Sequence, residues 1–308
     1  MDAPAARPDH HARNGLALGI GAYALWGLLP IYFKLLQGVP AVAIVAHRIV
    51  WSMVLLTALL FARRAWSEVR AAVAHPGTVK LLLATALLIG TNWLIYVYAV
   101  NSGHILAGSL GYYLNPLANI LLGRFVLGEA LSKRQWLAVA IAAVGVSILA
   151  VGALSHLWIS LALCVSFAFY GLLRKVAKVD ATAGLAIETA LLVVPAILWL
   201  AWASRGTLPT WGEDRTDLAL LIFSGVASTI PLLLFTAAAR RLPYSTLGIL
   251  QFIAPTLQFL VAVFIYGEPF TTAHAWAFGC IWTAALIYLM AALRGADAPG
   301  PGASPNKE

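Results

Sequence analysis

A chain of 308 residues that is 61% hydrophobic and only 10% charged, with mean hydropathy +0.86, is excluded from the soluble globular class, where about 25% of residues are charged. It reads as an integral membrane protein, so the net charge of +8 is assigned loop by loop and does not imply a nucleic-acid partner. Cys164 and Cys280 both lie in apolar runs and give neither a disulfide framework nor a metal site.

Residues 1–13 are polar and read as a disordered tail. Apolar runs follow at 14–36, 41–61, 79–100, 105–127 and 132–151, and again at 155–174, 181–203, 217–239, 244–266 and 272–293. Each is close to the ~20 residues that cross ~30 Å of hydrocarbon. The predicted fold is therefore all-α, with ten transmembrane helices in a lipid bilayer. The first run lacks a small-residue cleavage site and reads as a retained span, not a signal peptide. Residues 294–308 form a second polar, Pro/Gly-rich tail. The longer connections, 62–78 and 204–216, read as surface loops.

The chain repeats itself. GYYLNPLANILLGRFVLGE at 111–129 returns 139 residues later as LQFIAPTLQFLVAVFIYGE at 250–268. Pro116 aligns with Pro255, Asn119 with Gln258, Gly128 with Gly267 and Glu129 with Glu268. On the same offset Asn92 meets Pro231; separately, Trp26-Gly-Leu-Leu in the first span returns as Tyr170-Gly-Leu-Leu in the sixth. An internal repeat sets the whole architecture, here two halves at 14–151 and 155–293. Five crossings per half turn the second half upside down, which predicts two inverted five-helix repeats. With the N-terminus inside, sixteen Lys and Arg face inward and two, Arg205 and Arg215, face outward. That bias puts both termini in the cytoplasm.

Polar residues inside the spans are the candidate site. Proline in a span frees a backbone carbonyl that lipid cannot satisfy, and Pro30, Pro116, Pro195, Pro231 and Pro255 all do this. Beside them lie Tyr112, Asn115 and Asn119 on one helix face, with Gln251 and Gln258 in the repeat, and Asn92, Trp93 and Tyr96 in the third span. These side chains either line a cavity or hydrogen-bond helix to helix. Arg48 and Glu188 are charges well inside spans, where a charge faces a cavity or a partner. Their differing depths argue against a direct bridge. Glu188 has three readings: a proton-coupling group, an anchor paired with Lys175 or Lys178, or a substrate contact. Glu129 and Glu268 stand at span ends, within reach of water. Small residues at Gly15 and Gly19, Ala138 and Ala142, and Ala275 and Gly279 suit close helix contact, in a homodimer or within one chain.

The stretches AYALWGLLPIYFKLL (22–36), HRIVWS (47–52), NWLIYVYAVNSGH (92–104) and SLGYYLNPLANILLG (109–123) resemble the RarD-type permeases, EamA-like members of the drug/metabolite transporter superfamily. The resemblance covers roughly 15–293. It implies a ten-helix permease of the bacterial inner membrane with cytoplasmic termini. The family name is linked to chloramphenicol sensitivity, and the resemblance fixes no substrate. HExxH, GxSxG, Walker A and paired-cysteine metal motifs are all missing, so the expectation is no enzyme and no cofactor. The expected function is secondary-active transport of a small organic metabolite or drug-like molecule. A membrane scaffold without transport is the alternative.

Overall fold

The structure, a computed structural model, describes residues 10–101, 105–150, 157–267 and 271–296. Among them there is no strand. The first half holds α1 (His10–Leu35), α2 (Ala41–Ala62), α3 (Trp66–Val73), α4 (Pro76–Asn101), α5 (Ile105–Phe125) and α6 (Lys133–Ala150). The second holds α7 (Leu157–Val176), α8 (Ala181–Ala203), α9 (Arg215–Ala239), α10 (Tyr244–Gln251), α11 (Ile253–Phe264) and α12 (Thr272–Ala296). Nine spans among the described residues are long and apolar enough to cross a membrane, with α10 and most of α11 counted as one; α5 is not among the nine. The chain is an all-α, multi-pass membrane protein. Helices suit that setting because each satisfies its backbone donors and acceptors internally.

Helix starts repeat along the chain. Pro76 and Arg215, and Lys133 and Thr272, lie 139 residues apart, and Ala41 and Ala181 lie 140 apart. Packing runs across the halves. α1 lies on α9 and α11, while α7 lies on α4 and α5. α2 meets α8 and α9, α5 meets α10, and α6 meets α12. At the centre, Trp26 and Tyr170, the repeat-matched aromatics, both pack on Phe167 and Phe235. Large apolar side chains such as Leu28, Phe61, Leu198 and Trp202 stay on the outside, as expected where the solvent is lipid.

The two Gly-Glu motifs end their helices by the same device. Gly128 has φ +71° and Gly267 φ +68°, the left-handed conformation that glycine adopts without penalty at a helix C-terminus. The matched prolines behave differently. α5 runs unbroken through Pro116. The second copy breaks between α10 and α11 at Phe252, one turn before Pro255, where the proline ring meets the preceding carbonyl. The helices containing Pro30, Pro195 and Pro231 are also continuous.

Several sequence expectations shift. The 62–78 loop contains α3, whose Trp66 packs on Phe61 with ring centroids 5.1 Å apart and whose Ala72 is buried. Eight residues are too few for hydrophobic periodicity to register. α1 already includes residues 10–13, which the apolar pattern leaves to the tail. Arg174, counted among the inward-facing loop charges, is buried, with side-chain exposure 0%. Thr210 in the 204–216 loop is buried too, and its carbonyl accepts a 2.8 Å hydrogen bond from His47 Nε2. Gly15 and Gly19 let α1 approach Leu242 and Leu250 of this same chain, and Ala138 and Ala142 are fully buried. Those small residues serve packing within the monomer. Glu268, Ser102 and His104 lie outside the described residues.

Candidate functional site

Arg48 stands two turns into α2, on a helix that packs against both α8 and α9. Its Nε–H donates to Ser228 Oγ at 2.7 Å, and that hydroxyl donates on to Ser224 O at 2.7 Å. The guanidinium lies 4.8 Å from the Trp93 ring centre and 5.9 Å from that of Phe33. The phenols of Tyr112, Tyr32 and Tyr96 are within electrostatic reach of the same charge. Helices α1, α2, α4, α5 and α9 thus converge on one cation. An arginine stays charged, and aromatic faces attract it without neutralising it. Arg48 and these rings are all partly exposed, so the cluster is not sealed.

Behind it, Tyr112 and Tyr96 pack with centroids 5.6 Å apart, and Tyr112 OH makes a long 3.5 Å contact to Asn92 Oδ1. Asn92 is buried. Its Nδ2 donates to Leu163 O and Ser166 Oγ, both at 3.0 Å, which ties α4 to α7. Arg48, Asn92, Tyr96 and Tyr112, read separately from the sequence, come together here.

Glu188 belongs to a second polar centre. It is 1% exposed. Thr85 Oγ1 donates to its Oε1 at 2.5 Å and Tyr170 OH to its Oε2 at 3.5 Å. Its cation is Arg174, with Nη1 3.6 Å from Oε1. Arg174 Nη2 donates to Ala181 O at 3.2 Å, while Nε and Nη1 make no hydrogen bond. Neither expected anchor pairs with Glu188: Lys178 is exposed, and Lys175 donates to the Ala239 and Leu242 carbonyls at the end of α9. The reason is helical geometry: successive residues on a helix of 3.6 residues per turn point in different directions, which sends Arg174 inward and Lys175 toward α9. Between α2, α4, α8 and α9, Glu188, Ser52, Trp93, Thr189 and Thr229 line a cavity of about 10 Å³, close to the space one water needs. Trp93 therefore touches both centres, under the Arg48 cation and beside the Glu188 cavity.

Three of the four remaining candidates, Asn119, Gln251 and Gln258, hydrogen-bond helix to helix. Asn119 Nδ2 donates to Gln251 Oε1 at 2.7 Å, joining α5 to α10. Gln258 Nε2 donates to Trp26 O at 3.1 Å, joining α11 to α1. Asn119 and Gln258, equivalent in the repeat, do not meet each other. Asn115 is fully buried with neither end of its amide hydrogen-bonded.

Sequence reasoning missed three features. Glu129 is only part-buried, but it is also engaged: its carboxylate accepts from Tyr244 N at 2.5 Å, Ser245 N at 3.0 Å and Ser245 Oγ at 2.6 Å. It caps α10 from the opposite half, favoured by the positive end of that helix. Phe33 and Ser228 form part of the Arg48 cluster, and Arg174 is the partner of Glu188. Charge within a span signalled Arg48 and Glu188; nothing in the sequence marks their partners, which for Arg48 and Ser228 are 180 residues apart. Outside the spans, Asp180 caps α8. Burial would raise its pKa, but the Thr182 N–H and the Arg63 guanidinium outweigh burial and hold the carboxyl below its ordinary value.

The profile of the EamA-like transporter family matches residues 13–151. An uncharacterized transporter of Vibrio cholerae is 48% identical over 297 residues, which cover 94% of this chain and 97% of that protein. Protein RarD of Escherichia coli is 43% identical, over 91% of this chain and 95% of that protein. Chloramphenicol-sensitive protein RarD of Pseudomonas aeruginosa is 35% identical, over 89% and 93%. A solved crystal structure at 22% identity superposes with a TM-score of 0.70 over 90% of this chain and 98% of that one, a likeness of fold alone.

Proposed function

Because the chain belongs to the EamA-like transporter family as a RarD-type permease, a membrane transporter, we propose that it is a secondary-active permease of a small organic molecule, working by alternating access. In this reading ten spans form two inverted five-helix repeats in the bacterial inner membrane, with both termini cytoplasmic. The repeated helix starts, the matched left-handed glycines and the packing of each half on the other support it. Rocking one half against the other would then open the shared interface to each side in turn. The chloramphenicol sensitivity in one relative's name brings drug-like molecules into the range of substrates.

One observation carries the reading. The cavity between α2, α4, α8 and α9 sets Glu188 and three hydroxyl side chains among aliphatic ones, yet it is only about 10 Å³, whereas sites for organic ligands run to about 300–1,000 Å³. To take an organic substrate this interface would have to open, as alternating access requires. The experiment is metabolite profiling of cells lacking and overproducing the protein, followed by flux of the best hit into proteoliposomes. Saturable flux that is absent from protein-free vesicles is the expected result. No flux of any accumulating compound would leave a non-transporting scaffold.

A further inference from the structure

We propose that the substrate is an amphipathic organic monoanion, and that its carboxylate supplies the counterion that the protein withholds from Arg48. The inference rests on the transport reading above and names a substrate class for the Arg48 cluster, which shares Trp93 with that cavity. Among the described residues no carboxylate pairs with Arg48: the two ion pairs are Arg63 with Asp180 and Arg174 with Glu188. Glu129 is committed to α10, and Asp214 and Asp217 to the loop ahead of α9. A permanent charge inside a span normally has a partner, so its absence calls for an explanation. A guanidinium offers five N–H donors. Only Nε–H is taken, by Ser228, and the two terminal nitrogens have no acceptor among the described residues. Those two nitrogens form the edge that grips a carboxylate with two parallel hydrogen bonds.

The surroundings define the rest of the molecule. Trp93, Phe33 and Tyr96 give flat apolar walls around the cation, which suit an apolar or aromatic body. The same site argues against a zwitterion. The carboxylate that would best receive an ammonium group, Glu188, beside Trp93 in the cavity, is already held by Arg174, Thr85 and Tyr170.

The test uses the full chain, purified and also reconstituted. The probe is 3-phenylpropionate, with 3-phenylpropanamide as its neutral isostere and phenylalanine as the zwitterion, read by calorimetric binding. Saturable binding of the carboxylate is expected, with the amide and the zwitterion at least about tenfold weaker, the factor that ~1.4 kcal/mol represents. Arg48→Gln should remove that preference, and Arg48→Lys, which keeps charge but loses the two-pronged edge, should retain part of it. If Arg48→Gln does not fold, Ser228→Ala, which frees the guanidinium to swing, should weaken carboxylate binding and leave the amide unchanged. Equal binding of carboxylate and amide, or no saturable binding of the carboxylate, overturns the proposal. A transported substrate that proves neutral and moves normally through Arg48→Lys overturns it too while leaving the transport reading intact. Carboxylate binding with no flux of any accumulating compound would sustain the site and sink transport.

Discussion

Glu188→Gln is the sharpest perturbation this structure offers. The replacement amide would keep an acceptor for Thr85 and change almost no volume, so the effect isolates charge. It strands Arg174, whose side chain is 0% exposed and whose Nε and Nη1 already lack hydrogen-bond partners. Removing one member of a buried pair costs about 3–5 kcal/mol. With an unfolding entropy of ~2.1 cal/mol/K per residue over 308 residues, that corresponds to a fall of about 5–8 °C in the melting temperature. Adding Arg174→Met should return most of it, because replacing both ions by uncharged groups is often neutral or stabilising. The assay is thermal unfolding of the detergent-solubilised protein, run as a double-mutant cycle with a coupling energy of about 3 kcal/mol or less. A single mutant within about 2 °C of wild type, well under the shift worked above, or a double mutant no better than the single, would refute the reasoning. The stability-restored double mutant then serves the transport question. If Glu188 couples a proton to transport, gradient-driven uptake should collapse while substrate exchange survives; uptake that keeps its full dependence on the pH gradient would remove Glu188 from that role.

Four further outcomes are expected. In a background without native cysteines, Thr207→Cys, in an exposed loop, should react with an impermeant reagent on intact cells and Ala130→Cys should not; the reverse pattern would invert the topology. Glu129→Ala removes three hydrogen bonds at the start of α10 and should destabilise by about 1.5–3 kcal/mol, the range for a bond to a charged acceptor, with an unchanged melting curve counting against the cap. Asn119→Leu leaves Gln251 Oε1 buried without its donor, and Gln258→Leu releases Trp26 O; both should insert and express yet lower flux, and wild-type flux in both would make them ties without a part in transport. Asp180 has a folded pKa below its unfolded value of ~3.9, so its contribution is present above that value and lost as pH falls through the depressed folded pKa. Asp180→Asn keeps a capping side chain but loses the charge, so the stability gap to wild type should stay flat at neutral pH and close below about pH 4; a gap that persists at about pH 2, below the ordinary carboxylate range, would mean the cap, not the charge, is what matters.

Much of this protein was legible in its sequence for a physical reason. In lipid the span length is set by bilayer thickness and the backbone must close its own hydrogen bonds, so apolar runs translate almost directly into helices. The 139-residue offset found in Pro116 and Pro255 reappears in helix starts and in two left-handed glycines, because turn geometry is local and travels with its residues. The charges at Arg48 and Glu188 announced themselves because a charge in a span is costly unless something receives it. Tertiary structure alone decided the partners. Glu188 finds Arg174, Glu129 reaches across to cap α10, Asn119 bonds Gln251 and not its own repeat mate, and Arg48 is ringed by Trp93, Phe33 and Ser228, with no carboxylate among the described residues. Each of those choices depends on how the helices pack, and the physics of packing acts between residues that the linear order keeps apart.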